Sequence, residues 1–151
     1  MSVDFGGKLD GYCSDVSRTF SVGEPSERAV EVHAVVAEAQ AAGRAAATVG
    51  TRCEDVDAAC RRVITDAGYG EFFIHRTGHG IGMDGHEAPY LAIGETRVLE
   101  AGMTVSVEPG IYREGEGGFR HSDTVLITDD GCRVLGPGIP KTVNDVEAAC
   151  R

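Results

Sequence analysis

Short segments that alternate apolar and polar residues lie near both ends of the chain, and apolar residues recur at helical spacing between them. At the N-terminal end, Ser2–Phe5 is apolar around Asp4, and Tyr12–Phe20 alternates apolar and polar residues. The intervening Gly6–Gly11 contains three glycines, which are typical of turns. Because a period of two residues is typical of β-strands, the pattern predicts a β-hairpin.

Two segments with helical periodicity follow this hairpin. The first begins after Glu24-Pro25-Ser26, and its apolar stripe consists of Val32, Val35, Val36 and Ala39. The stripe of the second consists of Val56, Ala59, Cys60, Val63 and Ala67. Thr51 and Glu54 form a capping-box pattern at the start of the second helix, and Gly68 marks its end.

The rest of the chain is dominated by short predicted strands. They are Phe72–His75, Met103–Glu108, Phe119–Thr128 and a last strand around Val134. The segment Arg76–Pro89, rich in glycine and histidine, is predicted to be a loop, and 144–151 a helical or frayed tail. Because the strands come mostly as antiparallel hairpins with separate helices, the predicted fold class is α+β.

The composition narrows the class of protein. The 151 residues correspond to one domain, residues 1–151, with 24 acidic and 14 basic residues and a formal net charge of −10. This charge argues against nucleic acid and anionic membranes as partners. The chain contains no apolar run of membrane-spanning length, and its start does not resemble a signal peptide. Five cysteines without a C-x-x-C motif favour free thiols in a reducing cytoplasm.

The first predicted hairpin carries two carboxylates. Asp4 and Asp15 flank the glycine turn, so pairing of the strands about that turn brings them roughly opposite each other. An aspartate within an apolar strand is unusual, because burial of an unpaired carboxylate costs several kcal/mol. We therefore expect a cationic group to meet Asp4.

The second predicted hairpin repeats this geometry with one difference. Folding Met103–Glu108 onto Phe119–Thr128 about a turn near Gly115 puts Glu108 roughly opposite Ser122. Arg120, Ser122 and Thr124 share one face of the strand, and His121 and Asp123 point to the other face. The position opposite the acid is therefore occupied by a neutral serine.

Between the hairpins, His75, His79 and His86 lie within twelve residues among four glycines. Glycines allow a backbone to pass close to a site, and histidine supplies metal ligation and proton transfer near neutral pH. Two hairpins with acids and a loop histidine form an oxygen-rich ligand set with one nitrogen. Such a set favours Mn²⁺, Fe²⁺ or Co²⁺ over a structural Zn²⁺.

Four strings, in this order, resemble the pita-bread metallopeptidases, which include methionine aminopeptidase and the Xaa-Pro peptidases. The strings are VDFGGKLDGYCSDVSRTF, HRTGHGIGMDGHEAP, VEPGIY and FRHSDTVLIT. They cover nearly the whole chain, from Asp4 to about Gly136. EPGIY and the H-x-x-x-H-G-I-G form are more similar to Xaa-Pro dipeptidase (prolidase) than to methionine aminopeptidase. The resemblance implies the creatinase/aminopeptidase-like pita-bread fold.

The resemblance also implies roles, position by position. The metal ligands would be Asp4, Asp15, His79 and Glu108. Glu108 would also handle the proton of the attacking water, while His86 would contact the substrate amide and His75 would line the site. Arg120 and Tyr112 would hydrogen-bond around the ligands. The implied chemistry is two-metal hydrolysis, with Mn²⁺ as the expected ion and Co²⁺, Fe²⁺ or Zn²⁺ as alternatives.

Two departures from the family pattern modify these expectations. Ser122 stands where the family has a glutamate that bridges both metals, so we expect only one tightly bound ion. The family's catalytic domain also begins well before Asp4. Residues 1–151 are therefore expected to be the later part of a larger pita-bread domain, with an exposed apolar seam that favours a homodimer.

Three functions remain open at this point. The first is a cytoplasmic metallopeptidase of Xaa-Pro type that hydrolyses the bond before proline in a short peptide. The second is a degenerate pita-bread protein that binds a peptide or protein partner without catalysis, which Ser122 favours. The third is a metal-independent, creatinase-like hydrolase, which the four retained ligands disfavour.

Overall fold

The computed structural model of the chain describes residues 1–136, 138–140, 142, 145, 148 and 149. Within these residues the elements are the helices α1 (Glu27–Ala46) and α2 (Cys53–Asp66), a 3₁₀ turn at Gly70–Phe72, and eleven strands. The strands are β1 (Ser2–Phe5), β2 (Lys8–Leu9), β3 (Tyr12–Cys13), β4 (Val16–Thr19), β5 (Gly78–Gly80), β6 (Glu87–Leu91), β7 (Thr104–Val107), β8 (Gly110–Arg113), β9 (Gly117–Arg120), β10 (Asp123–Thr128) and β11 (Gly131–Val134).

One antiparallel sheet, in the order β11-β10-β7-β5-β6, forms the centre of the fold. Helices α1 and α2 pack against each other and against this sheet, and the core lies between them. Val105 and Val107 of β7 are fully buried in that core, whereas Thr104 and Ser106 alternate with them along the strand. The α+β class predicted from the sequence is therefore confirmed.

The helix boundaries agree with the sequence pattern except at one cap. Ser26 begins α1, and its hydroxyl oxygen accepts a hydrogen bond from the amide of Ala29 at 3.2 Å. The capping box predicted at Thr51 is wrong, because α2 begins after Arg52 without a side-chain cap. The Thr51 hydroxyl instead bonds to that of Thr48 at 2.9 Å. Gly68, with φ of +84°, follows the end of α2 as predicted.

The first hairpin contains four strands, whereas its sequence pattern predicts two. Strand β1 pairs with β4, and the pairs include Asp4 with Ser17, so Asp15 lies two residues away from the position directly opposite Asp4. The predicted turn contains a second, smaller hairpin formed by β2 and β3. Its tip at Asp10 and Gly11 has positive φ at both residues, which is typical of a tight hairpin turn.

The second hairpin has the predicted register and is interrupted at the level of the candidate acid. Val107 pairs with Asp123 and Gly110 pairs with Arg120, so the hairpin is centred on residue 115 and Glu108 faces Ser122. At this level the two strands separate. The Glu108 amide donates to the carbonyl of Thr77, and the Ser122 amide donates to that of Ser17. The predicted single strand Phe119–Thr128 is consequently two strands, β9 and β10.

The strand predicted over Phe72–His75 is absent, because side chains of α2 satisfy its backbone. The Arg61 guanidinium donates to the carbonyls of Phe73 and His75, each at 3.0 Å. The carboxylate of Asp57 accepts a hydrogen bond from the amide of Thr77 at 3.0 Å and pairs with Arg61. Two residues of one helix turn thus hold the segment that enters the candidate site.

The prediction of a loop over Arg76–Pro89 is also wrong in part. Strand β5 lies inside the central sheet, between β6 and β7. A Cβ atom added at Gly78 would come within 1.9 Å of the Ser106 carbonyl oxygen, so only glycine permits this approach. The glycines that suggested a loop instead allow close strand packing.

The remaining sequence predictions concern the C-terminal tail, membrane-spanning segments and the cysteines. Most of the predicted tail over 144–151 lies outside the described residues. The helices that the structure describes do not include one long and apolar enough to cross a membrane. The described cysteines, Cys13, Cys53, Cys60 and Cys132, are free thiols.

Candidate metal centre

Three side chains predicted as metal ligands converge at the end of the central sheet. Among the described residues, Asp15, His79 and Glu108 form the one group whose potential ligand atoms all lie within 4.8 Å of one another. His79 Nε2 lies 3.3 Å from Asp15 Oδ2 and 3.2 Å from Glu108 Oε1. Asp15 enters from the first hairpin, His79 from β5 and Glu108 from the end of β7.

The backbone of β5 determines which nitrogen of His79 faces the cluster. Nδ1 lies 2.9 Å from the carbonyl oxygen of Gly80 and must donate to it, because a carbonyl only accepts. Nε2 is therefore directed at the carboxylates. A ligating histidine commonly donates its second N–H to a backbone carbonyl in this way.

The electrostatics of the cluster favour a cation. The His79 side chain is fully buried, which disfavours its charged form, but contacts with Asp15 and Glu108 outweigh this effect and raise its pKa to about 9. The pKa of Asp15 is lowered by His79, against the opposing effect of its own burial. In the metal-free chain the imidazolium thus supplies the positive charge that the two carboxylates require.

The cluster passes a geometric test for a metal ion. Ligand atoms at about 2.1 Å from one ion and at right angles are roughly 3 Å apart. The contacts of 3.2 and 3.3 Å from His79 Nε2 are close to that spacing. Nε2 is also buried without a hydrogen bond of good geometry to either oxygen, although both lie within ion-pair distance. The ring is therefore aimed at the space between the carboxylates, where a shared ion would fit.

Asp4 lies beside this group but is held by a different partner. Its carboxylate pairs with the guanidinium of Arg120, the cationic contact that the sequence indicated. The Asp4 side chain remains 51% exposed, so the expected burial is not found. Partial burial nevertheless raises its pKa, an effect that Arg120 opposes and that Asp15 and Glu108 reinforce.

Ser122 is fully buried opposite Glu108, and its hydroxyl has no hydrogen-bond partner among the described residues. The two flanking residues turn to the helical side, as predicted. His121 packs against His33 of α1, and Asp123 pairs with Arg18 and accepts from Gln40 at 2.7 Å. Neither flanking residue can therefore replace the carboxylate that position 122 lacks.

The remaining predicted residues surround the cluster in a connected set. The imidazole of His86 lies 4.0 Å from that of His79, measured between ring centroids. His75 Nδ1 donates to the Arg76 carbonyl at 2.7 Å, and its Nε2 shares a hydrogen bond of 2.9 Å with the Tyr112 hydroxyl. Burial raises the pKa of Tyr112, and the nearby Arg120 partly offsets this effect. These two hydrogen bonds fix the orientation of the His75 ring.

A pocket of about 330 Å³ opens over these groups. It is lined by Asp4, Asp15, His75, Arg76, His86, Glu108 and Arg120. A larger, mostly apolar pocket of about 520 Å³ lies between the first hairpin, α1 and β9 and contains none of the candidate ligands. The smaller pocket is the candidate site because the titratable groups converge there.

Sequence reasoning missed three contributors to this site. Arg76 lines the pocket, with its guanidinium 4.8 Å from the centre of the Tyr90 ring. Asp57 and Arg61 fasten the segment that carries His75. Their spacing of four residues on one helix could have predicted the ion pair between them. It could not have predicted their hydrogen bonds to the backbone of residues 73–77.

The chain thus combines an α+β fold of antiparallel hairpins with a carboxylate–imidazole cluster that could hold a metal ion, which is the class of a metal-binding protein. The model of metallopeptidase family M24 matches residues 1–129, and the chain belongs to this family. Membership implies a divalent metal ion, and Asp15, His79 and Glu108 are the described residues that could hold it.

Individual relatives agree with this assignment. The chain is 49% identical over 128 residues to the Xaa-Pro dipeptidase of Lactobacillus delbrueckii subsp. lactis, covering 85% of this chain and 35% of that protein. It is 45% identical over 135 residues to the uncharacterized peptidase YqhT of Bacillus subtilis, covering 89% of this chain and 38% of that protein. The chain thus spans less than two fifths of the length of these curated relatives.

Solved structures show the same architecture. The Xaa-Pro dipeptidase from Bacillus anthracis superposes with a TM-score of 0.91 at 46% identity, covering 94% of this chain and 40% of that one. The prolidase from Pyrococcus furiosus gives a TM-score of 0.90 at 40% identity, covering 92% of this chain and 41% of that one. The pita-bread fold implied by the sequence motifs is therefore confirmed.

Proposed function

We propose that the chain is a metal-dependent peptidase of the Xaa-Pro dipeptidase type, which hydrolyses the bond before proline in a short peptide. The observation that carries this proposal is the convergence of Asp15, His79 and Glu108 within 4.8 Å in a chain of family M24. Relatives named Xaa-Pro dipeptidase at 49% identity support the substrate class.

We assign each site residue a separate role in hydrolysis. A divalent ion bound here would lower the pKa of a water molecule and polarise the scissile carbonyl. We assign Asp15, His79 and Glu108 as its ligands, and Glu108 as the group that takes the proton of the attacking water. His86, whose ring centroid lies 4.0 Å from that of His79, contacts the substrate amide, and His75 lines the pocket with its ring held by a hydrogen bond to Tyr112.

We assign Mn²⁺ as the preferred ion and a stoichiometry of one tight ion per chain. The ligand set has two carboxylates and one imidazole, which suits Mn²⁺, Fe²⁺ or Co²⁺. A second ion would need further carboxylates, and Asp4 is paired with Arg120 while position 122 holds a serine. Arg120 and Tyr112 hydrogen-bond around the ligands rather than binding the ion.

The test is hydrolysis of a panel of Xaa-Pro dipeptides by the Mn²⁺-loaded chain, with the matched Xaa-Ala dipeptides as a specificity control. We expect release of free proline, loss of that activity in His79→Ala, and loss on treatment with EDTA. An Mn²⁺-loaded, folded chain that cleaves none of the Xaa-Pro peptides would contradict the proposal.

Ser122 favours a second candidate, a pita-bread protein that binds a peptide without cleaving it. The two functions differ in one measurement. Calorimetric binding of Xaa-Pro dipeptides to the Mn²⁺-loaded chain, without proline release over days, would support binding alone. Turnover would exclude it.

We also propose that the chain forms a homodimer through exposed apolar side chains. Phe5, Leu9 and Tyr12 of the first hairpin are 55%, 77% and 65% exposed, and Met83 beside them is 63% exposed. Exposed apolar clusters of this kind commonly mark interfaces. Sedimentation velocity should show a concentration-dependent dimer that Leu9→Lys weakens, and a monomer at all concentrations would contradict this proposal.

A further inference from the structure

We propose that Ser106 is a positioning residue for the metal centre: its buried hydroxyl links the backbone of His79 to the carboxylate of Glu108 and fixes the two ligands relative to each other. This inference rests on the proposed function, because it assigns these two residues as ligands. It concerns a side chain that touches neither a substrate nor the ion.

The two hydrogen bonds of the hydroxyl define its orientation. The His79 amide donates to Ser106 Oγ at 3.0 Å, and Ser106 Oγ in turn donates to Glu108 Oε1 at 3.3 Å. A hydroxyl has one proton, and an amide N–H cannot accept, so that proton is available to the carboxylate. The His79 amide of β5 thus orients the Ser106 hydroxyl, and this hydroxyl orients the Glu108 carboxylate.

The oxygen that Ser106 contacts is the one that faces the histidine. Glu108 Oε1 lies 3.2 Å from His79 Nε2, so the same atom accepts from Ser106 and borders the proposed ion site. The hydrogen bond from Ser106 thus holds Oε1 beside His79 Nε2, where it would be available to a bound ion. This arrangement restricts rotation of a long side chain that lies beyond the last residue of β7.

Burial makes this link effective. Ser106 is fully buried, and the Gly78 backbone covers it closely, since a Cβ atom at Gly78 would lie 3.2 Å from Ser106 Oγ. Water therefore does not compete for the hydroxyl, and hydrogen bonds to an ionised acceptor are stronger than neutral ones. Groups that orient metal ligands in this way commonly change metal affinity by about 10–100-fold when they are removed.

The neighbouring Thr104 provides a matched control. It lies two residues earlier on the same face of β7, and its hydroxyl also makes a hydrogen bond, to the carbonyl of Ile81. That bond reaches the backbone only and contacts none of the three proposed ligands. Thr104→Val therefore removes a hydroxyl from the same strand without removing a link to the metal centre.

The experiment compares the unmodified full chain with Ser106→Ala, Ser106→Thr and Thr104→Val. Calorimetry with MnCl₂ gives the Kd of each, the visible absorption of the Co²⁺-loaded chain reports the ligand arrangement, and urea unfolding without metal reports stability. We expect Ser106→Ala to raise the Mn²⁺ Kd by about 10–100-fold and to alter the Co²⁺ spectrum at saturation. Ser106→Thr keeps the hydroxyl and should restore both, and Thr104→Val should leave both unchanged.

The possible results distinguish the positioning role of Ser106 from the existence of the metal centre. A Ser106→Ala chain that is folded and binds Mn²⁺ with the unmodified Kd and Co²⁺ spectrum would overturn the positioning role while leaving the metal centre intact. Equal losses in Ser106→Ala and Thr104→Val would also overturn it, because the effect would then belong to the strand. An unmodified chain that binds no divalent ion would overturn both this inference and the proposed function. If Ser106→Thr does not fold, the comparison of Ser106→Ala with Thr104→Val still decides.

Discussion

The guanidinium of Arg120 pairs directly with the carboxylate of Asp4, across the gap between β9 and β1. The family motif makes both acids of the first hairpin metal ligands, but this contact gives Asp4 a different partner from that of Asp15. Asp15 joins His79 and Glu108, whereas Asp4 is neutralised by a side chain of the second hairpin. The same Arg120 also donates to the Ser17 hydroxyl at 3.1 Å, so the pair is part of the junction between the hairpins.

The first prediction concerns metal stoichiometry. Because Asp4 is paired and Ser122 carries no charge, calorimetry should detect one tight Mn²⁺ per chain. Ser122→Glu places a carboxylate opposite Glu108 and should add a second binding event or strengthen the first by roughly tenfold or more. The gain in affinity reflects the extra negative charge near a divalent ion.

Ser122→Gln is the matched control, since it has the size of glutamate without the charge. We expect it to bind Mn²⁺ no better than the unmodified chain. Two tight Mn²⁺ ions in the unmodified chain would contradict the single-ion assignment. Equal behaviour of the glutamate and glutamine variants would show that charge at position 122 is not what limits binding.

The second prediction concerns the stability of the metal-free chain against pH. His79 has a pKa near 6.5 when unfolded and about 9 when folded, so the folded state binds its proton more tightly. A raised pKa stabilises the folded state below pH 6.5, and that stabilisation is lost as the pH rises through 9. At about 1.4 kcal/mol per pKa unit, the loss is on the order of 3 kcal/mol.

Urea unfolding in EDTA at pH 6 and at pH 9.5 would measure this change. His79→Gln is the control, because glutamine does not titrate and its variant should lack this contribution to the pH dependence. If the unmodified chain and His79→Gln lose the same free energy of unfolding between the two pH values, the imidazolium does not stabilise the cluster.

The sequence pattern predicted the features that depend on local periodicity. Helix α1 was located by its apolar stripe and Ser26, and the second hairpin by alternation about residue 115. The pattern could not show that β5 lies inside the sheet, because glycines such as Gly78 and Gly80 occur both in loops and where strands approach closely. The pattern also could not show that Arg61, 12 and 14 residues away, makes the hydrogen bonds to Phe73 and His75 that a neighbouring β-strand would otherwise make.

The candidate site was predictable as a set of residue types but not as a geometry. The motifs brought Asp4, Asp15, His79 and Glu108 into one proposal, and the structure brings three of them within 4.8 Å. The exception follows from Arg120, whose long side chain can reach either hairpin. Ser106 was also invisible in the sequence, because a serine on the polar face of a strand is ordinary until its two hydrogen-bond partners are known.

The third prediction concerns thiol reactivity. Burial raises the pKa of the Cys60 thiol to about 12, and its side chain is enclosed between α1 and α2 beside Gly43. The thiolate is the reactive species, so Cys60 should resist alkylation at pH 8 in the folded chain. Cys13, which is partly exposed on the first hairpin, should react, and peptide mass spectrometry distinguishes the two. Alkylation of both cysteines at similar rates would contradict this account, and both should react in urea.

The fourth prediction concerns the clamp formed by Asp57 and Arg61. Asp57 is fully buried, pairs with Arg61 through two contacts at 2.9 and 3.1 Å, and accepts from the Thr77 amide. Asp57→Ala would leave that amide without its partner and would remove the carboxylate from Arg61, whose guanidinium would keep its hydrogen bonds to the Phe73 and His75 carbonyls. Removal of one partner of a buried pair costs about 3–5 kcal/mol, so the free energy of unfolding should fall by about that amount.

The exposed pair Arg52 and Asp55 lies on the same helix and tests whether burial is the cause. Its side chains are 52% and 48% exposed, so Asp55→Ala should cost at most about 1 kcal/mol. Because Arg61 also fixes the carbonyl of His75, Asp57→Ala should disturb the contact of 2.9 Å between His75 and Tyr112. Histidine side-chain NMR would detect this as a changed His75 resonance that Asp55→Ala leaves in place. Equal losses of stability in the two variants would show that the clamp acts as an ordinary surface ion pair and does not hold the segment that enters the site.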